Sequence, residues 1–110
     1  MIAVRIYITA NSDKEHELRI AIEQLCARIE QEDGCVSCNF YQNTRKPFEF
    51  LLVEKWKSME SAYEHVASKN MAVLTGAGVI LSHEVRASLD RSESVQELNR
   101  EYMQRLSAKS

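Results

Sequence analysis

The chain is poor in residues that interrupt regular structure. Among 110 residues there is one proline, Pro47, and there are three glycines, Gly34, Gly76 and Gly78. That scarcity excludes collagen-like and Pro/Gly-rich low-complexity chains and leaves room for uninterrupted helices and strands. Three cysteines are too few, and odd in number, for a disulfide framework, so free thiols are expected. Charge of neither sign dominates: 14 Lys and Arg face 16 Asp and Glu, a net charge of -2, which argues against the basic stripe of a nucleic-acid binder. No apolar run approaches the roughly 20 residues of a membrane span. No His-Glu-x-x-His, zinc-ribbon cysteine spacing or Gly-x-Ser-x-Gly occurs, and Gly76-x-Gly78 precedes a strand instead of following one, as a phosphate loop would. Neither a metal nor a cofactor is expected. Met1 to Arg5 alternates like a strand and lacks a basic-then-apolar leader, so a cytoplasmic location is expected.

What is present reads as one α+β domain. Ile2, Val4, Ile6 and Ile8 alternate over residues 2–9, a half-buried strand. Ser12 and Glu15 fit a capping box, and Leu18, Ile22, Leu25 and Ile29 mark the buried face of a helix reaching about Glu32. Gly34 suits the left-handed turn past a helix end. A second strand over about 35–43 places Val36, Cys38 and Phe40 on one face and Ser37, Asn39 and Tyr41 on the other. In this register Cys35 and Cys38 point to opposite faces about 10 Å apart, too far for a disulfide, and read as small apolar residues.

The third strand, about 48–57, is apolar on both faces: Phe48, Phe50, Leu52 and Trp56 against Leu51 and Val53. One face needs helices; the other, with Tyr7, Asn39 and Tyr41, is expected to meet a second subunit. Ser58 can cap a helix with Met59, Ala62, Tyr63 and Val66 on its buried stripe. Residues 68–79 are mixed in pattern, with Gly76-Ala77-Gly78 as a break, and a fourth strand over about 80–89 places Leu81, His83, Val85, Ala87 and Leu89 on one face. The order β-α-β-β-α-β is ferredoxin-like, with an antiparallel sheet. Residues 1–90 form the expected domain. Residues 91–110 form an extension in which Ser94 and Glu97 make a second capping box ahead of a Val95, Leu98, Tyr102, Leu106 stripe.

Phe48 to His65 is the most informative stretch. Glu54 and Trp56 share a strand face, and His65 lies on the helix that follows. His65 reads either as a partly exposed helix residue or as a general base. Trp56 is a core anchor or the wall of an aromatic pocket, its indole N–H offering one donor. Glu54 reads as a rim residue or as half of a structural ion pair. His83 is a satisfied core residue or a second group facing the same cavity.

The string Glu54-x-Trp56-x-Ser58-x-x-x-Ala62-x-x-His65, with the strand entry Gly34-Cys35-Val36-Ser37-Cys38-Asn39-Phe40-Tyr41, resembles the antibiotic biosynthesis monooxygenase family of dimeric α+β barrels over roughly residues 1–90. The resemblance implies a homodimer that oxidises a small phenolic, hydroquinone or polyketide-like substrate with O2 and no cofactor. It implies that His65, Trp56 and His83 form the catalytic set, with Phe40, Leu52, Tyr63 and Asn70 around the substrate. Some quinone-forming members have asparagine where this chain has Leu52, and many have Pro-His where it has Lys69-Asn70. The absence of a first-strand asparagine disfavours haem degradation. Two other readings stay open: a proton-transfer isomerase or degradation enzyme for a small signalling metabolite, and a non-catalytic ligand-binding dimer. A phosphorylated metabolite would need an arginine or lysine clamp, for which Arg5 and Arg86 are the candidates.

Overall fold

The computed structural model describes residues 1–91. Strand β1 (Ile2–Ala10) leads into helix α1 (Glu15–Ile29), followed by β2 (Cys35–Gln42), β3 (Glu49–Trp56), α2 (Met59–Val66), α3 (Lys69–Leu81) and β4 (Ser82–Arg91). The sheet order is β2-β3-β1-β4, with each neighbouring pair antiparallel. This is the ferredoxin-like arrangement anticipated from the pattern, with one helix more. The proposed capping box at Ser94 and the stripe after it lie outside the described residues.

The helices cover one face of the sheet. Ile2, Ile6 and Ile8 of β1 and Phe50, Leu52 and Trp56 of β3 are buried against Leu18, Ile22, Leu25 and Ile29 of α1. The period-2 and period-3.6 stripes therefore meet as expected. Full burial of each such aliphatic side chain contributes about 1.5–3 kcal/mol before ordering costs. The opposite face carries Tyr7, Leu51, Val53 and Tyr41, the first and last of them exposed and the middle two half-buried.

Two single-residue register shifts alter the expected strand faces. Between Cys35 and Ser37 of β2 the pairing skips Val36, so Cys35 lies opposite Trp56 and Cys38 opposite Glu54. An extra residue in one strand reverses the alternation beyond it. Cys35 thus joins the helix-facing side with Cys38 and Phe40, and Val36 is exposed, contrary to the simple alternation. In β4 the shift opposite Thr9 and Ala10 leaves His83 unpaired, so His83 does not continue the Val85, Ala87, Leu89 series.

Local signals failed in three further places. Helix α1 starts after Lys14 with no side-chain cap, so Ser12 and Glu15 do not form the box; Asp13 adopts a positive φ of 64° instead. The Gly76-Ala77-Gly78 segment is not a break, because α3 runs through it to Leu81, and β4 begins at Ser82. Ser68 caps this helix by accepting the Met71 N–H at 3.2 Å. In α2 the buried residues are Ala62 and His65, whereas Tyr63 and Val66 are exposed. The eight-residue helix rests on one short arc, rotated toward His65 from the expected stripe.

Gly34 has φ +82°, the left-handed conformation expected after a helix, and a Cβ there would overlap the Ser61 side chain at the start of α2. Its carbonyl accepts the Lys57 N–H at 2.9 Å. The turn therefore ties the end of α1 to the β3–α2 corner. Gly34→Ala is expected to destabilise the protein by about 2–3 kcal/mol, from the positive φ and the displaced Ser61 together. Denaturant titration checks this, and Ser61→Gly in the same background should recover part of the loss.

Candidate functional site

Two places hold the residues of chemical interest, at opposite ends of β1. The first is a polar string buried under α2. Glu54 lies on the helix-facing side of β3 and is 0% exposed, as is Trp56 two residues on. The Trp56 indole N–H donates to Glu54 Oε1 at 3.2 Å. His65, 2% exposed, stacks on the indole with ring centroids 4.6 Å apart and planes 25° apart. Its Nε2 meets Glu54 at 3.1 Å and its Nδ1 meets Glu32 at 3.0 Å. Asn70, at the start of α3, donates to Glu32 Oε2 at 2.9 Å.

Both ring nitrogens of His65 face carboxylates, and an ionised carboxylate can only accept, so the arrangement calls for an imidazolium that donates twice. Burial alone would lower the His65 pKa; the bonds and charges of Glu54 and then Glu32 outweigh it and leave it raised. The positive ring lies over the indole face, a favourable cation–π geometry. Every buried side-chain N or O atom among the described residues has a hydrogen-bond partner. The string is thus satisfied internally. Trp56 and His65 have no free N–H directed at a ligand.

The second place is a pocket of about 340 Å³ between α3 and the β1–β4 side of the sheet. Its wall is mainly apolar: Ile6 and Ile8 from β1, Val85 and Ala87 from β4, and Met71, Leu74 and Val79 from α3. Gly78 brings the helix close to the strand, since a Cβ there would stand 3.2 Å from Val85 Cγ2. Thr75 and Ser82 line it too, but their hydroxyls donate to the carbonyls of Met71 at 2.9 Å and Gly78 at 2.5 Å. His83 and Glu84 supply the ionisable side chains, and among the described residues no lysine or arginine lines the cavity. His83 is exposed at the rim, where the register shift turns it out of the strand ladder.

The residues expected to act together are therefore divided. His65, Trp56 and Asn70 belong to the string, and His83 to the pocket. Trp56 pairs with Ile2 whereas the pocket begins at Ile6, a separation of about 13 Å along the strand. Leu52 is buried opposite Ile6, and Phe40 is half-buried with its ring tilted against Phe50 at 6.3 Å. Tyr63 is 66% exposed on the outer side of α2 and lines neither place. Sequence reasoning missed Glu32, for which no local signal exists, since its partner is 33 positions away. It also missed Met71, Leu74 and Gly78, although their i, i+3, i+7 spacing behind a capping serine was readable as a helix face.

His65→Ala leaves the Glu54 carboxylate buried without its cation and should cost about 3–5 kcal/mol. Tyr63→Ser, on the solvent side, should change stability by no more than about 0.5 kcal/mol. Because folding raises the His65 pKa, its stabilisation is full below the unfolded value of about 6.5 and is lost as pH rises through the folded value. The stability gap between the parent protein and His65→Gln should accordingly shrink from mildly acidic to alkaline pH. Parallel urea titrations across that range measure it.

The sequence pattern described as antibiotic biosynthesis monooxygenase matches residues 1–74. None of the curated proteins compared matches significantly. Among solved structures, a candidate antibiotic biosynthesis monooxygenase from Deinococcus radiodurans superposes with a TM-score of 0.78 at 17% identity, covering 86% of this chain and 95% of its own. A candidate antibiotic biosynthesis monooxygenase from Nitrosomonas europaea gives 0.76 at 16% identity, covering 86% and 100%. A protein of unknown function from Bacteroides thetaiotaomicron, suggested to be an oxidoreductase, gives 0.75 at 19% identity, covering 81% and 94%. These likenesses establish the ferredoxin-like α+β fold, and the family match over most of the domain decides the rest: the chain belongs to the antibiotic biosynthesis monooxygenase family.

Proposed function

We propose that the protein is a cofactor-independent monooxygenase that binds a small, uncharged phenolic, hydroquinone or polyketide-like ring in the pocket under α3 and oxidises it with O2. The observation that carries this reading is the pocket itself: about 340 Å³, walled mainly by aliphatic side chains, with the imidazole of His83 at the rim. Apolar walls with a few polar groups suit a small organic ligand. Family membership supplies the reaction class.

In such a reaction the imidazole takes a proton from the substrate and leaves an electron-rich anion against apolar walls. That anion reduces O2 directly. Where a ring CH2 becomes C=O, one oxygen atom enters the product and the other leaves as water with the two hydrogens, so no external reductant is needed. We assign the proton transfer to His83 and not to His65, whose nitrogens already serve Glu54 and Glu32. On this reading Trp56 and His65 fix the other end of the sheet and do not touch substrate.

The isomerase reading for a phosphorylated metabolite needs a clamp of cations, and the two candidates among the described residues are engaged by acids and do not line the pocket. Arg5 pairs with Asp90, and Arg86 pairs with Glu84 at 3.2 Å while lying over the Tyr7 ring. The open sheet face, with Leu51 and Val53 half-buried beside Tyr7 and Tyr41, supports a homodimer as the working unit. Among the described residues no helix is long and apolar enough to cross a membrane.

Oxygen uptake by chelator-treated protein, with a panel of hydroquinones and polycyclic phenols, tests the function. Saturable uptake is expected. His83→Ala should lower kcat/KM by about 10²–10⁴-fold, the usual contribution of a positioned general base, and Ala87→Phe, which fills the pocket from β4, should abolish turnover. Uptake left unchanged by both substitutions would move the site elsewhere. Light scattering at micromolar concentration should report a dimer; a monomer retaining full activity would sink that part of the reading.

A further inference from the structure

Cys38, on the helix-facing side of β2, meets Cys26 of α1, with Sγ to Sγ 3.0 Å across two elements. All three cysteines are free thiols. We propose that Cys26 and Cys38 are a peroxide-oxidisable pair that closes a disulfide between α1 and β2. The contact is already shorter than an ordinary sulfur–sulfur van der Waals separation, so about 1 Å of approach completes a bond of about 2.05 Å. Nothing in the proposed oxygenation uses either thiol, and the pair lies outside the pocket.

The two sulfurs differ in ways that assign their order of reaction. Cys26 is 9% exposed and Cys38 1% exposed, so a small neutral oxidant meets Cys26 first. Burial raises the Cys26 thiol, with Cys38 partly offsetting it, and raises Cys38 much further. Cys26 is therefore the nucleophile and Cys38 the resolving thiol. The Cys26 sulfur attacks one peroxide oxygen and the O–O bond breaks; the departing oxygen takes the thiol proton as water, leaving a sulfenic acid. The Cys38 sulfur then displaces that hydroxyl, which leaves as a second water with the Cys38 proton. Two thiols give up two electrons and hydrogen peroxide accepts them. Both thiols stay protonated at neutral pH, so closure is slow and records sustained peroxide, not a brief pulse.

The closed loop would contain the turn that carries Glu32. Glu32 is the outer carboxylate on His65, so the disulfide would fasten one end of the buried string to the sheet. Cys35, also half-buried on this side, is the competing partner; its thiol, pushed up to about 11 by burial and then by Glu54, donates weakly to the Ser37 carbonyl at 3.5 Å.

The test treats the full chain with millimolar hydrogen peroxide and maps peptides without reduction. The expected product is a Cys26–Cys38 linked peptide, formed also in Cys35→Ser and absent from Cys26→Ser. With it the melting temperature should rise on the order of 10 °C and return on adding dithiothreitol. Sulfinate or sulfonate on separate cysteines, a link through Cys35, or three unmodified thiols in the folded protein would each overturn the proposal. Cys26 lies at the edge of the core, so Cys26→Ser is the variant that retains the fold; circular dichroism of the untreated variant verifies this.

Discussion

A glutamate with no solvent exposure, on the packed face of the central sheet, is the constraint around which this end of the molecule is arranged. An isolated carboxylate there would cost several kcal/mol. Glu54 avoids that cost because three groups converge on it or on its partner: the indole N–H of Trp56, the imidazolium of His65, and Glu32 behind the imidazolium. Each arrives on a different element. β3 supplies the acid and the indole, α2 the imidazole, the turn after α1 the second acid, and α3 the asparagine that steadies it. Those elements cannot shift independently without leaving a charge unpaired. Gly34 belongs to the same constraint, because only a residue without Cβ lets the α1 turn lie against Ser61 at the head of α2.

The other end of the sheet is organised by the opposite principle. There α3 covers β4 incompletely, most of β4 is exposed, and an apolar hollow remains between them. A rigid, internally satisfied end and a partly open apolar end suit a ligand-binding domain: one fixes the sheet, the other leaves volume for a guest. His83 stands at the open end because a one-residue irregularity in β4 removes it from the ladder. A similar irregularity in β2 exposes Val36 and brings Cys35 onto the helix-facing side beside Cys38. In both strands a single extra residue decides which side chain leaves the ladder, His83 in β4 and Val36 in β2.

The strand and helix pattern was readable wherever burial is one-sided over several turns. Ile2, Ile6 and Ile8, the four aliphatic positions of α1, and Phe50, Leu52, Glu54 and Trp56 all fall on the faces their periodicity assigns. The reading failed where the signal was short or carried by small residues. Two glycines in α3 read as a break because low propensity alone does not reveal the tertiary contact at Val85 that favours one of them. Helix α2 has only eight residues, too few for a stripe to fix its rotation, so its pattern puts Tyr63 and Val66 inside and His65 at the edge. Position along a helix could not reveal that His65 would be buried, because the groups that make its burial tolerable come from elsewhere in the chain.

The sequence by itself determined the class of fold, the order of its elements, the sharing of one strand face by Glu54 and Trp56, and the family to which those residues point. These are properties of local periodicity and short spacings, which survive without knowledge of what packs on what. Only the tertiary structure decided the pairing of His65 with Glu32 and Glu54, the separation of His83 from Trp56, and the meeting of Cys26 with Cys38. Each depends on the relative rotation of two elements or on a one-residue slip in register. Such displacements leave the hydrophobic pattern almost unchanged while moving a polar atom from one partner to another.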